Sequence, residues 1–344
     1  MVSHPTLWIT HRGERHQEAA LSSAPAELAV TMRRSPSKEE VIRLLPGVEF
    51  LVSERTGAID ADVIAAGKDL RLIQRLGSQV YDIDLQAAKA AGVPVCYMPV
   101  RGSIMVAEHM LMQILVLAKH TRELMDVVQE ANDFGYPPRR TDEDYFAYNW
   151  SGRRGVMALW GSTVGILGMG EIGTELARLL HPFGCTILYN KRNRLPEPAE
   201  TELSVRFATV DEMLLTSDVM CMLVPFFPET EQSLGEAFFS AMKPGGLFVS
   251  CGGSGVVNEE ALAAAIRSGH LGGAALDTFT FEPITRDDPM RALAADPRAN
   301  VVLTPHTAAG TGAIGVTSPN AERLEDYENI LRCLRSEPLV GRLV

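Results

Sequence analysis

The most constraining feature of this chain is Thr163-Val-Gly-Ile-Leu-Gly-Met-Gly-Glu-Ile-Gly173, which sets Gly168, Gly170 and Gly173 in Gly-x-Gly-x-x-Gly spacing. An apolar strand precedes the glycines and an amphipathic stretch follows them. That context predicts a strand, a tight turn and a helix. In such a unit the first glycine makes the turn and the second lets backbone approach a pyrophosphate. The third allows close packing of helix on strand. The pyrophosphate then rests on the positive end of the helix that begins near Glu171, so Gly168, Met169, Gly170, Glu171, Ile172 and Gly173 are expected to hold a dinucleotide.

The end of the next strand reports which dinucleotide. An NAD site calls for Asp or Glu about 20 residues on. Here the sequence is Tyr189-Asn190-Lys191-Arg192-Asn193-Arg194. No carboxylate stands in that turn, and its cations suit a 2′-phosphate. Arg192 and Arg194 offer paired N–H donors, with Asn190 and Lys191 beside them. The turn favours NADP(H) and leaves NAD(H) open.

Alternating strand and helix patterns run on both sides of this unit and predict parallel sheets. Strands are expected at Leu7–Ile9, Ala29-Val30, Val48–Val52, Leu72-Ile73 and Val93–Tyr97, with a helix capped by Ser37. From Met105 to Lys119 the chain is apolar on nearly every face and reads as a buried helix. Residues 123–155 break the rhythm. They hold Phe134, Tyr136, Tyr145, Phe146, Tyr148 and Trp150, a density that marks a surface excursion, a lid or a subunit contact. Strands then follow at 164–167, 186–189, 219–224, 247–249, 273–276 and 301–304, and a last helical stretch at Asn320–Leu334.

Composition closes off several function classes. Of 344 residues, 46% are hydrophobic and 22% charged, and 43 acidic against 32 basic side chains leave a net charge of −11. That surface disfavours nucleic acid and anionic lipid as partners. No apolar run is read as approaching the roughly 18–20 residues of a membrane span. The start of the chain shows no secretory pattern. Five cysteines without CxxC pairing fit a reducing compartment and argue against structural zinc. The expectation is a cytoplasmic protein that acts on a small molecule and carries no metal.

Four further segments, in order around the glycine turn, resemble the D-2-hydroxyacid dehydrogenase family over nearly the whole chain. Gly77–Ala87 resembles its first substrate loop, and Met98-Pro99 through Val106-Ala-Glu-His109 its second loop and long helix. Met242–Gly246 through Val257–Leu262 resembles the strand and helix that carry the family's arginine. Ala275–Phe279 to Glu282-Pro283, with Leu303–His306, resembles the acid and histidine segments. The turn Tyr189–Pro196 is similar to that of NADP-preferring glyoxylate and hydroxypyruvate reductases.

The resemblance implies hydride transfer between a nicotinamide and C2 of a 2-oxo or 2-hydroxy acid. It implies His306 as the acid/base and Glu282 as the carboxylate that orients it and raises its pKa. It also places Asp277, Val224, Pro225, Cys251 and Gly252 with the cofactor, and Ser78 and Gln79 with the substrate. A strand-end cap is the plainer reading of Asp277. The architecture implied is α/β, two doubly wound parallel-sheet domains with a cleft between them. A flavodoxin-like substrate domain of 1–118 plus 307–344 would flank a Rossmann cofactor domain of 119–306. A homodimer is the implied assembly.

One member of the implied set is missing. The arginine that holds the substrate carboxylate falls on Gly253 in Ser250-Cys-Gly-Gly-Ser-Gly255. Losing such a charge-assisted pair costs on the order of 1.5–3 kcal/mol or more, at least about tenfold in rate on a 2-oxo acid. Nearby positions depart as well, at Gln79, Tyr81, Asp82, Tyr97, Val100 and Met105. Either another cation serves, with Arg101 the first candidate and Arg139, Arg140, Arg153 and Arg154 behind it, or the substrate is a ketone or aldehyde without that carboxylate. In the second case Gly252 and Gly253 are expected to leave room. A catalytically silent protein that senses nicotinamide nucleotide is the alternative function.

Overall fold

The computed structural model describes residues 3–310 and 323–344 and divides into two compact units, Met1–Ile104 with Thr311–Val344, and Met105–Gly310.

The first unit is a parallel five-stranded sheet in the order β2-β1-β3-β4-β5, the flavodoxin-like order. Its strands are β1 (His4–Thr10), β2 (Leu28–Arg34), β3 (Phe50–Ser53), β4 (Leu72–Leu76) and β5 (Val95–Met98). Alternation of side chains along each strand feeds two cores. Leu7, Ile9, Leu51, Ile73 and Val95 pack on one face against Val41, Val63, Ile64 and Ala88. Trp8, Phe50, Val52 and Leu72 pack on the other against Ala20, Tyr327 and Ile330. Both faces are covered, so the inner strands β3 and β4 are buried at every position, while the edge strand β2 stays partly exposed. The expected cap at Ser37 forms, its hydroxyl accepting the Glu40 N–H at 3.2 Å. Of the expected terminal stretch Asn320–Leu334, the described part is a short 3₁₀ turn, Glu325–Tyr327, and a helix, Glu328–Leu334. Residues 320–322 lie outside the described residues.

The second unit is a parallel seven-stranded sheet in the order β12-β11-β10-β9-β6-β7-β8. Its strands are β6 (Thr163–Leu167), β7 (Thr186–Asn190), β8 (Val205–Phe207), β9 (Val219–Met222), β10 (Leu247–Ser250), β11 (Gly273–Leu276) and β12 (Val301–Leu303). Counted from β6, this is the Rossmann order with one strand added. The three-residue β8 was not expected from sequence, because Val-Arg-Phe is too short and mixed to show a period.

Three expectations need correction. The division falls at 104/105 rather than 118/119. The long helix Arg101–Ala118 inserts Val106, Ala107, Met110, Ile114 and Leu117 into the second unit's core. Nor does the reading of apolar runs hold: by length and composition alone this helix could cross a membrane. Packing accounts for its apolar face. The excursion also starts later than 123, because Thr121–Gln129 is helical. Beyond it Tyr136, Phe146 and Tyr148 are exposed.

Candidate functional site

The glycine turn has the steric signature of a dinucleotide cradle. Gly168 has φ +101, and a Cβ there would stand 2.6 Å from the Leu223 carbonyl carbon, so a side chain is excluded twice over. A Cβ at Gly173 would stand 3.1 Å from the Gly168 carbonyl oxygen and 3.2 Å from Ile166 Cγ2. Helix and strand are therefore in close contact. At Gly170, which caps the helix Glu171–Leu180, a Cβ would meet nothing within 4 Å. The open position is the one a phosphate would approach, and the residues present fit a dinucleotide there. Met169 is buried under the turn, while Glu171 and Ile172 are half-buried.

The basic turn after β7 is less free than its sequence implies. Arg194 lays both arms of its guanidinium on Glu200, Nε to Oε1 at 2.8 Å and Nη2 to Oε2 at 2.7 Å. Glu200 also accepts the Tyr189 hydroxyl at 2.6 Å, and its pKa is lowered by Arg194 against the effect of burial. A carboxylate therefore does stand at this turn, carried by the helix Glu197–Leu203. Arg194 is thus paired with Glu200 while its side chain stays exposed. Asn190 is likewise engaged, donating to the Ala208 carbonyl at 2.7 Å. Arg192 is exposed and Lys191 half-exposed.

His306 and Glu282 meet as expected. His306 Nδ1 lies 2.6 Å from Glu282 Oε2, and the histidine remains exposed. The other carboxylate oxygen accepts the Phe279 N–H at 3.0 Å and the Ser254 hydroxyl at 2.9 Å. Burial works against the Glu282 charge, but the His306 ring, the Phe279 N–H and Ser254 outweigh it and hold its pKa below the ordinary value. Sequence reasoning missed Ser254, whose neighbours are all small and carry no signal.

Asp277 acts as the strand-end cap. It is 1% exposed. Its carboxylate accepts the Thr304 hydroxyl at 2.6 Å and the N–H groups of Thr307 and Ala308 at 3.0 and 2.9 Å. Its carbonyl accepts the His306 N–H at 2.9 Å. His306 itself has φ +50, a costly backbone state held by this cap. His109 of the long helix joins the group, with Nε2 3.0 Å from the Thr304 hydroxyl.

Position 253 corrects another expectation. Gly252 and Gly253 do not leave room. A Cβ on Gly253 would collide with the Phe226 backbone nitrogen and stand 2.8 Å from the Pro225 carbonyl carbon. One on Gly252 would stand 2.5 Å from the Met222 sulfur and 2.9 Å from the Val224 carbonyl oxygen. The Gly253 N–H donates to that same Val224 oxygen at 2.8 Å. The Val224–Phe226 backbone fills the place from which an arginine would start. Cys251 is buried, its thiol 3.5 Å from Gln113 Oε1, and burial pushes its pKa up.

In the first unit, Ser78 and Gln79 are buried in the loop after β4. Gln79 Oε1 accepts an N–H from Arg55 and the Tyr81 hydroxyl, the latter at 2.9 Å. Arg55 is a cation that sequence reasoning overlooked. Arg101 forms an ion pair with Glu325 at 3.2 Å, both half-exposed. Of the excursion's arginines, Arg153 is held by Glu123 at 2.8 Å and Arg139 lies over the Tyr145 ring.

Comparison with known proteins agrees with this architecture. The chain is 32% identical over 285 residues to a D-3-phosphoglycerate dehydrogenase of Archaeoglobus fulgidus, covering 83% of this chain and 50% of that one. It therefore spans about half the length of that relative. A hydroxypyruvate reductase of Thermotoga maritima is 31% identical over 285 residues, covering 83% of this chain and 85% of that one. A solved structure from Pyrococcus horikoshii OT3 superposes with a TM-score of 0.56 at 26% identity, covering 99% of this chain and 95% of that one. Residues 111–308 match the family described as D-isomer specific 2-hydroxyacid dehydrogenase, NAD binding domain. On these grounds the chain belongs to the D-isomer specific 2-hydroxyacid dehydrogenase family.

Proposed function

We propose that the chain is an NAD(P)-dependent oxidoreductase acting on a small carbonyl or hydroxyl compound, with NADP(H) preferred. The observation that carries this reading is the Glu282–His306 pair at 2.6 Å, on the same sheet as the glycine cradle. When bound, a nicotinamide dinucleotide supplies the hydride. Gly168, Gly170 and Gly173 shape its phosphate seat, and Lys191 and Arg192 favour a 2′-phosphate. The proton belongs to His306: its ring donates to the substrate oxygen in reduction and accepts from it in oxidation. Glu282, with Oε2 2.6 Å from Nδ1, orients the ring.

The relatives' names point to 2-oxo and 2-hydroxy acids. Since position 253 admits no side chain, a substrate carboxylate would need another cation. A neutral ketone or aldehyde is the competing substrate class. The exposed aromatics of the excursion support a homodimer.

The test is NADPH oxidation against 2-oxo acids, and against ketones and aldehydes of matched size. Turnover that vanishes in His306→Ala supports the proposal. NADPH binding without turnover on either set, with His306→Ala indistinguishable from wild type, overturns it in favour of a nucleotide sensor.

A further inference from the structure

In the segment 250–255, the side chain that reaches the acid/base pair is that of a serine. Ser254 Oγ donates to Glu282 Oε1 at 2.9 Å. The Phe279 N–H donates to the same oxygen at 3.0 Å. A single donor leaves a carboxylate free to swing about that bond, whereas two donors from different segments fix its plane. With Oε1 so held, Oε2 is presented to His306.

The turn that carries Ser254 is itself anchored on several sides. Gly253 donates to Val224, the Thr278 hydroxyl donates to the Gly252 carbonyl at 3.0 Å, and the Val256 N–H returns to the Gly253 carbonyl at 3.3 Å. Gly255 has φ +82, with the Phe226 ring 3.3 Å from where its Cβ would be. The missing side chain at 253 is what lets this turn settle against Pro225 and Phe226. Glycine there therefore serves the placement of Ser254.

We infer that Ser254 is a positioning residue of the acid/base pair, fixing the Glu282 carboxylate that orients His306. The role in turnover rests on the proposed oxidoreductase reading; the role in holding Glu282 does not. Removing the hydroxyl takes one donor from an ionised carboxylate. The Glu282 carboxyl then titrates at higher pH, and the ring it steers is less well aimed.

Two measurements test this, one with substrate and one without. With a substrate from the panel, Ser254→Ala should lower kcat by about tenfold at unchanged KM, as expected for loss of a charge-assisted hydrogen bond. The acid limb of its kcat–pH profile should move to higher pH, and Ser254→Thr, which keeps the hydroxyl, should restore both. Without substrate, glutamate Cδ is labelled with ¹³C and the Glu282 signal is assigned by its loss in Glu282→Gln. That signal should titrate at higher pH in Ser254→Ala than in wild type. An unmoved Glu282 titration in Ser254→Ala overturns the inference, whether or not kcat falls. Absence of turnover in every protein would instead count against the oxidoreductase reading and leave the titration to decide the role of Ser254.

Discussion

Gly253 and Phe226 are in such close backbone contact that no side chain fits at 253, where a Cβ would stand 2.9 Å from Phe226 Cα. Here Gly253→Arg should not create a carboxylate site. It should lower the thermal midpoint, because overpacking against backbone costs about 1–3 kcal/mol or more. Even Gly253→Ala should be measurably less stable than wild type. A well-folded Gly253→Arg protein with raised kcat/KM on 2-oxo acids would contradict the crowding argument.

If the carboxylate is held from the first unit, Arg55 and Arg101 should separate cleanly. Arg55 donates to Gln79 in the buried loop after β4, whereas Arg101 lies in a half-exposed pair with Glu325. Arg55→Ala should raise KM for a 2-oxo acid by at least about tenfold, the scale of one charge-assisted bond. Arg101→Ala should change it by less than about twofold, as for other surface pairs. Steady-state kinetics on both variants decides the matter, and the reverse order would return the role to Arg101.

Cofactor choice should rest on Arg192 more than on Arg194. Arg194 is committed to Glu200 through two bonds, and Arg192 stands exposed in the same turn. Arg192→Ala should weaken NADPH binding by about tenfold and leave NADH binding unchanged, as read by nucleotide fluorescence titration. In Glu200→Gln, Arg194 is released from a charged partner, and the NADPH-to-NADH preference should rise. Equal loss of both nucleotides in Arg192→Ala would indicate general damage to the turn.

What was legible in the sequence depended on how local its cause is. Gly168, Gly170 and Gly173 answer to backbone geometry within one turn, so spacing and flanking pattern were enough. His306 and Glu282 were named through the resemblance of their two segments to the family's acid and histidine segments, because a lone histidine after a strand does not by itself mark a site; their 2.6 Å contact depends on the fold. The bond between Arg194 and Glu200 was not, since it requires the helix Glu197–Leu203 to fold back over β7. Crowding at Gly253 was hidden for the same reason: its neighbours Pro225 and Phe226 belong to the loop after a different strand. Arg55 and Gln79 meet across two strand ends of one sheet, and neither residue type announces the other.

Stability should fall, not rise, as pH increases through the range in which Asp326 ionises. Asp326 lies in a buried polar group at the carboxyl ends of β1 and β3. Burial pushes its pKa up to about 6 from an ordinary 3.8, and the Arg323 guanidinium, 2.9 Å away, only partly offsets this. Glu54 and Glu325 add to the rise and Arg12 opposes it. The folded state thus holds this proton more tightly than the unfolded chain. Its contribution is full below pH ~4 and is lost as pH climbs through about 6, an effect of about 3 kcal/mol. Glu54 runs the other way. Burial raises its pKa, but His16 at 2.7 Å, Trp8 Nε1 at 2.8 Å and Arg12 lower it further, to below the ordinary value. Its stabilisation is present at neutral pH and lost on acidification. Asp326→Asn separates the two, because it removes the costly charge and leaves Glu54 in place. The raised pKa already includes the attraction of Arg323, so the neutral side chain should still be preferred at neutral pH. Urea denaturation should find the variant no more stable than wild type at pH 4 and more stable by up to about 3 kcal/mol at pH 7.5. A variant less stable than wild type at pH 7.5 would mean that the pairing with Arg323 outweighs the burial of the charge.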